Sequence, residues 1–371
     1  MPPAEDNKPE SGLWKDYLNR GSVTKIAEEI GRVDRGFDQR SFVEASIDKS
    51  FSDLELKQRI TAIARTLHQF LPNDYGRSMR IFRKAAPHLG GFENWALMSF
   101  IELYGLDHFD DSIAAMKDLT RYGTAEFAIR PFMIRYERKM LPVLHRWAGD
   151  SNEHVRRLAA EGSRPRGVWT QHIESFKKDP RPVLALLEKL KADPSLYVRK
   201  AVANNLNDIS KDHPDLVIET ALAWNNDGNK HTDWIVKHAC RSLIKKGNPK
   251  VFPIFGFTSS PKVEVRRFRL SRKKVKIGSS ISLSFDLVSG ANRSQKLAID
   301  YRLHYVKKNG KRSPRVFKLS EKVLGSGKTV MISTRHSFEN RCTRIHYPGE
   351  HRLDLIINGR VVLSEDFSLA R

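Results

Sequence analysis

Between Asp53 and Pro253 the apolar residues return every three or four positions, as in Ile60, Ile63, Ala64 and Leu67, or Leu97, Phe100, Ile101 and Tyr104. That is the spacing of one buried helical face, with Gly, Asn or Pro between segments, so nearly all of this region is predicted to be α-helix. Residues 1–50 carry only short amphipathic stretches, such as Ile26, Ile30 and Val33, which predict peripheral helices. Around Thr258-Ser-Ser-Pro261 the period changes to two. Ile281, Leu283, Phe285 and Leu287 alternate with mostly polar residues, as do Leu297, Ile299, Tyr301, Leu303 and Tyr305, which predicts half-buried strands. Asn309-Gly310 and Asn358-Gly359 fall between alternating segments as hairpin turns. The predicted fold is multidomain α and β. A helical domain spans 1–260, and about seven strands over 261–371 form an immunoglobulin-like β-sandwich, although no Cys…Trp…Cys signature is present.

Two helical segments repeat a motif. Asp150-Ser-Asn-Glu-His-Val155-Arg156-Arg157-Leu-Ala159 recurs as Asp193-Pro-Ser-Leu-Tyr-Val198-Arg199-Lys200-Ala201-Val202, 43 residues on, with weaker copies near Trp234 and Phe127. This is the pattern of a HEAT-type repeat, in which Asp is expected to cap the helix and small residues permit close stacking. A right-handed stack of helix pairs with a concave surface follows. With Val155 facing the core, Leu158, Ala159 and Gly162 share its side, and Arg157 and Glu161 share an outward face. Asp208 lies one turn beyond Asn204, the counterpart of Glu161, so carboxylates of neighbouring repeats are placed to converge on one groove. On spacing alone, Glu161 is equally an i,i+4 ion-pair partner of Arg157.

Charge adds a partner. The 371 residues carry 65 Lys+Arg against 43 Asp+Glu, a net charge of +22, and between Glu264 and Arg371 the counts are 24 and 9. Such an excess favours a polyanion, since each neutralised phosphate releases condensed counterions. In the β portion, Arg266, Arg267 and Arg269, then Arg272, Lys273, Lys274 and Lys276, and the cluster around Lys307-Lys308 read as phosphate contacts, or as a solvated face that only raises non-specific affinity. No run of about 18 apolar residues occurs and the opening residues are polar, which predicts a cytoplasmic protein with no membrane partner. Cys240 and Cys342 are too far apart for a zinc pair and are expected to be free thiols. The 13 His are scattered, so no metal is expected. Gly325-Ser-Gly327-Lys328-Thr329 resembles the end of a phosphate loop, but Lys322 stands where the first Gly belongs; it is expected to be a hairpin turn, and no cofactor is indicated.

The segment after Glu161, Gly162-Ser163-Arg164-Pro165-Arg166-Gly167-Val168-Trp169, sets two arginines and a Trp beside the candidate acidic face. Arginine forks suit phosphate, and Trp can stack on bases or plug a gap between repeats. Together with Glu126-Phe-Ala-Ile-Arg130-Pro upstream and Asn204-Asn-Leu-Asn-Asp208 downstream, this run resembles the AlkC branch of the AlkC/AlkD DNA alkylation repair glycosylases over roughly residues 50–255. Many relatives carry Leu-Pro where this chain has Gly167-Val168. The resemblance implies a monofunctional, cofactor-independent N-glycosylase that releases cationic alkylated bases, notably 3-methyladenine and 3-methylcytosine, from duplex DNA without flipping them into a deep pocket. It implies Glu126, Glu161 and Asp208 as catalytic acids, Trp169 as an aromatic wall against the lesion, and Arg157 as a phosphate or carboxylate-positioning group; Arg164 and Arg166 read as lesion or DNA contacts, or as merely solvated arginines. It also implies an Ig-like domain at the C-terminal end, expected to close over DNA. The protein would act as a monomer, nucleoid-associated when bound to DNA. The rival reading is a HEAT-repeat scaffold that binds nucleic acid or protein without chemistry.

Overall fold

The computed structural model describes residues 12–225, 228–341 and 344–371; the expected thiol of Cys342 lies outside the described residues. Helices fill the chain from Arg20 to Lys246, and a short 3-10 segment, Pro249–Phe255, closes the helical part. The peripheral helices Arg20–Val33 and Gln39–Ser46 bury Ile26, Ile30 and Phe42. Among the described residues, no helix is long and apolar enough to cross a membrane.

The repeated motif has a mechanical explanation. Arg156 donates to the backbone carbonyls of Asp150 and Ser151, both at 2.9 Å, and Arg199 does the same to Asp193 and Pro194 at 2.9 and 2.7 Å. Arg156 also forks onto the Asp193 carboxylate of the following repeat, at 2.6 and 3.1 Å. The Arg in each copy therefore braces its own entry turn, and the first copy ties itself to the second. The aspartates are not the helix caps. Asn152 and Ser195 accept the helical N–H groups, while Asp150 and Asp193 each accept an N–H two residues on, forming the turn that leads into the cap. The Leu196–Ile209 helix packs between Glu153–Gly162 and Lys230–Ala239, so the residues following Glu153–Gly162 meet the end of Leu196–Ile209.

Among the described residues eight strands form the β portion: β1 Val263–Leu270, β2 Lys274–Lys276, β3 Ser280–Ser289, β4 Gln295–Val306, β5 Arg312–Leu324, β6 Thr329–Ser337, β7 Gly349–Ile357 and β8 Arg360–Ala370. One sheet has the order β1-β3-β6 and the other β2-β8-β7-β4-β5, with β2 parallel to β8. Both Asn-Gly turns form hairpins, and Asn358 and Gly359 adopt φ 46° and 79°. The Gly325–Lys328 turn is different from the expected hairpin. It carries the chain from β5 in one sheet to β6 in the other, a change that alternation alone does not reveal.

Helices give way to strands near Pro261, but the compact units divide earlier. The Pro214–Asn225 helix and everything from Cys240 onward pack as one unit with the strands, while residues up to Asp212 and Gly228–Ala239 form the other. Asn225 donates to Ile254 O within the helical segment, and Lys296 donates to Phe255 O and Asn358 to Thr258 O, so polar bonds fasten that segment to the sandwich. Glycine is required at Gly359, where a Cβ would stand 2.6 Å from the Gly247 carbonyl oxygen and 2.7 Å from Phe252.

Where an immunoglobulin domain has a disulfide between its sheets, this sandwich has a polar bridge. The His336 ring on β6 bonds the hydroxyls of Tyr301 and Tyr305 on β4, both at 2.7 Å. A neutral imidazole suits this role, since one phenol donates to its lone pair and the other accepts from its N–H. Burial pushes the His336 pKa down from 6.5 to about 4, with His346 adding a like-charge contribution. Between those two values the unfolded chain binds a proton that the folded chain refuses, so stability present above pH 6.5 is lost as pH falls toward 4. The expected loss is about 3 kcal/mol. Denaturant unfolding followed from pH 7 to pH 4 should show that slope, and His336→Phe should flatten it.

Candidate active site

Glu126 lies in the turn before the Ile129–Arg135 helix, Arg157 and Glu161 on the Glu153–Gly162 helix, Arg164 just beyond it, and Asp208 in the last turn of Leu196–Ile209. The packing of repeats brings these five together as a line of alternating charge. Arg157 pairs with Glu126, lies 3.7 Å from Glu161, and donates to Thr124 Oγ1 at 2.6 Å. Arg164 then pairs with Glu161 and reaches Asp208 at 2.7 Å, and Lys211 closes the line on Asp208 at 2.8 Å. Both sequence readings of Glu161 are present at once: it is the i,i+4 partner of Arg157, and it is also in the converging acidic group.

Burial grades the line. The side chains of Glu126 and Glu161 keep 22% and 12% of their surface exposed, against 4% for Asp208. Burial alone would weaken the Arg157 charge, but Glu126 and Glu161 together outweigh it and hold the guanidinium above its ordinary pKa. The same balance, with Glu161 and Asp208 as partners, raises Arg164. Arg164 thus places its donors on two carboxylates from neighbouring repeats. Arg166 grips Asp212 in a fork at 2.7 and 3.1 Å on the exposed side. Behind the line, Tyr197 stacks under the Arg157 guanidinium at 5.0 Å.

The loop after Glu161 hangs on Arg130. This side chain is 1% exposed and donates to Gly162 O at 2.9 Å, to Arg164 O at 2.6 Å, and to Gln171 O at 2.6 and 3.0 Å. Burial, then the Arg164 charge, lowers its pKa to about 10, which leaves it a cation at neutral pH. Trp169, within the span so fixed, is 70% exposed with φ 58°. A Trp in the left-handed region is strained by about 1–3 kcal/mol, so the surrounding bonds must dictate its conformation. Lys57 supplies one, donating to Trp169 O at 3.0 Å while lying 5.4 Å over the Phe127 ring. Trp169 also borders a narrow apolar cleft with Trp95, Phe127, Met98 and Ile60. Glu102 lines the same cleft, where burial raises its carboxyl pKa against the opposing charge of Lys57.

Sequence reasoning assigned no role to Arg130, Lys57 or Glu102. Arg130 stood within a quoted motif, but Lys57 lies 112 positions from Trp169 and left no local signal. In the β-sandwich, Arg266, Arg267 and Arg269 sit on β1, where the register with β3 shifts between Arg266 and Arg269 and Arg267 adopts φ 50°. All three are exposed, as are Lys273 and Lys274. Arg266 pairs with Glu264, Arg267 with Asp286 and Lys273 with Glu365. Among the described residues, no group of His, Cys, Asp and Glu is placed to hold a metal ion. Cys240 is buried, and burial pushes its thiol up to about 12.

The amino-acid sequence matches two described families: "DNA alkylation repair enzyme" over residues 114–243 and "Uncharacterised protein YhaZ, C-terminal Ig-like domain" over residues 264–371. It is 39% identical to Bacillus subtilis YhaZ over 355 residues, 96% of this chain and 99% of that protein. Its structure resembles that of the Pseudomonas fluorescens alkylpurine DNA glycosylase AlkC bound to DNA containing an abasic-site analogue. The two share 39% identity and a TM-score of 0.88 over 97% of this chain and 100% of the other.

Proposed function

The chain belongs to the AlkC-type DNA alkylation repair glycosylases, and we propose that it hydrolyses the N-glycosidic bond of cationic alkylated bases in duplex DNA. Its substrates in this reading are 3-methyladenine and 3-methylcytosine, and its product is an abasic site. The observation that carries the reading is the juxtaposition of two partly accessible carboxylates, Glu126 and Glu161, in the same unit as the strained, exposed Trp169. A strongly basic DNA-binding protein gains nothing in affinity from carboxylates set beside phosphates, so these acids serve chemistry.

A base alkylated at N3 already carries positive charge and leaves as a neutral molecule, taking the glycosidic electron pair with it. No general acid is needed. The sugar left behind resembles an oxocarbenium ion, which carboxylates stabilise while orienting the attacking water, whose second proton passes to solvent. Glu161 takes the central part because Arg157 and Arg164 hold it from both sides. Glu126 flanks it, and Asp208, nearly enclosed, acts by fixing Arg164. Trp169 is the aromatic wall against the lesion nucleotide, approached from the open face without a deep pocket. Exposed cations of the sandwich, Arg266, Arg267, Arg269, Lys273 and Lys274, contact backbone phosphates.

A duplex carrying one 3-methyladenine tests the reaction class. The strand should remain intact on a denaturing gel until alkali is added; cleavage without alkali would contradict a monofunctional glycosylase. Lys57→Met tests the placement of Trp169. It should lower the single-turnover rate on the order of tenfold, as misplacement of an aligned group does. Lys57→Arg should recover part of the loss.

A further inference from the structure

The β-sandwich carries a built site of its own, formed by none of the residues assigned to the chemistry. A solvent-open recess of about 490 Å³ is lined by Arg315, Arg341, Arg344, Glu339, His336 and His346. Arg315 and Arg344 also border an adjoining recess with Lys307 and Lys308, so positive charge continues outward. Among the described residues, none of the three arginines lies within ion-pair distance of a carboxylate, in contrast to Arg157 and Arg164, although Glu339 belongs to the same wall. Aromatic faces hold two of them instead. Arg344 lies 5.5 Å over the Tyr305 ring and Arg315 5.5 Å over Phe317, contacts that orient a guanidinium without neutralising it.

His346 supplies the second observation. It is 5% exposed, packed against Tyr305 and Phe338, and its Nδ1 has no hydrogen-bond partner. A buried polar atom left this way destabilises the fold unless a group from outside satisfies it. We propose that this recess binds one phosphate group, with Arg315, Arg341 and Arg344 donating to its oxygens and His346 Nδ1 completing the site. A protonated Nδ1 donates to a phosphate oxygen, and a neutral one accepts from the P–OH of a phosphomonoester. The ligand chemistry is common to a nucleic-acid backbone and to a terminal or free phosphate.

The full-length protein tests this without any lesion, so failure here leaves the glycosylase reading intact. Binding of inorganic phosphate is measured by calorimetry, and affinity for undamaged duplexes, with and without a 5′-phosphate, is followed against salt. Arg315→Gln tests the charge. His346→Phe removes the orphan nitrogen and should not lower stability. If a backbone phosphate is the ligand, both variants weaken duplex binding, and Arg315→Gln lowers the salt slope by about 0.9. If a terminal or free phosphate is the ligand, the slope is unchanged, and both variants lose at least about fivefold in affinity for inorganic phosphate or 5′-phosphorylated duplex. The proposal is overturned if His346→Phe, folded, matches wild type with every probe, or if wild type neither binds inorganic phosphate nor differs from Arg315→Gln in duplex binding.

Discussion

Glu161→Gln should lower the single-turnover rate of base release by about 10²–10³-fold, the range seen when one preorganised electrostatic contact to a transition state is lost. The substitution keeps the side chain's size and one oxygen, so the Glu153–Gly162 helix and its packing are undisturbed. It removes the charge that both Arg157 and Arg164 lean on. Two guanidiniums then share only Glu126 and Asp208, and the site becomes one unit more positive toward DNA. Duplex affinity is expected to hold or improve while chemistry collapses. Single-turnover kinetics and fluorescence anisotropy on the same damaged duplex separate the two. Equal losses in rate and binding would mean that Glu161 only supports the fold.

Arg130→Met should be the most destabilising of the single changes considered. Methionine matches the stem of the arginine but donates to none of the Gly162, Arg164 and Gln171 carbonyls. Charged donors contribute about 1.5–3 kcal/mol each, and carbonyls left without partners add to the cost, so a loss of about 3–5 kcal/mol is expected. Denaturant unfolding measures it. Arg130→Lys should recover little, because one ammonium cannot reach carbonyls on both sides of the loop. The remaining folded protein should show loosened Trp169, read as faster acrylamide quenching than in wild type. A stability loss below about 1 kcal/mol would mean that the loop is held by other contacts.

The sequence made the buried faces legible and left their pairing hidden. Alternation in Ile281–Leu287 and Leu297–Tyr305 identifies the sides that enter the sandwich core. It says nothing about which strand lies alongside, so the parallel β2–β8 pair and the passage from β5 to the opposite sheet emerge only in the structure. The Asn-Gly hairpins were readable because their backbone requirement is local. The HEAT period found the right helices but misplaced their caps, since an Asp in an entry turn and an Asp at a cap look alike in one dimension.

The site divides in the same way. Glu126, Glu161 and Asp208 were legible from motif and helical phase, and they do gather. Their interleaving with arginines was not. Arg164 follows Glu161 by three positions but spends its second contact on a residue 44 positions away, a choice made by the packing of repeats. Arg130 acts over 32 positions and Lys57 over 112, and long flexible side chains leave no periodic trace of such contacts.

The most direct measurement is chromatography with mass detection of the free base released from methylated duplex DNA by the wild-type protein. Release of 3-methyladenine or 3-methylcytosine, with an equal yield of abasic sites in the DNA, is the predicted result. Intact methylated DNA recovered from a complex that the protein demonstrably forms would contradict the glycosylase account and favour a scaffold that binds without chemistry.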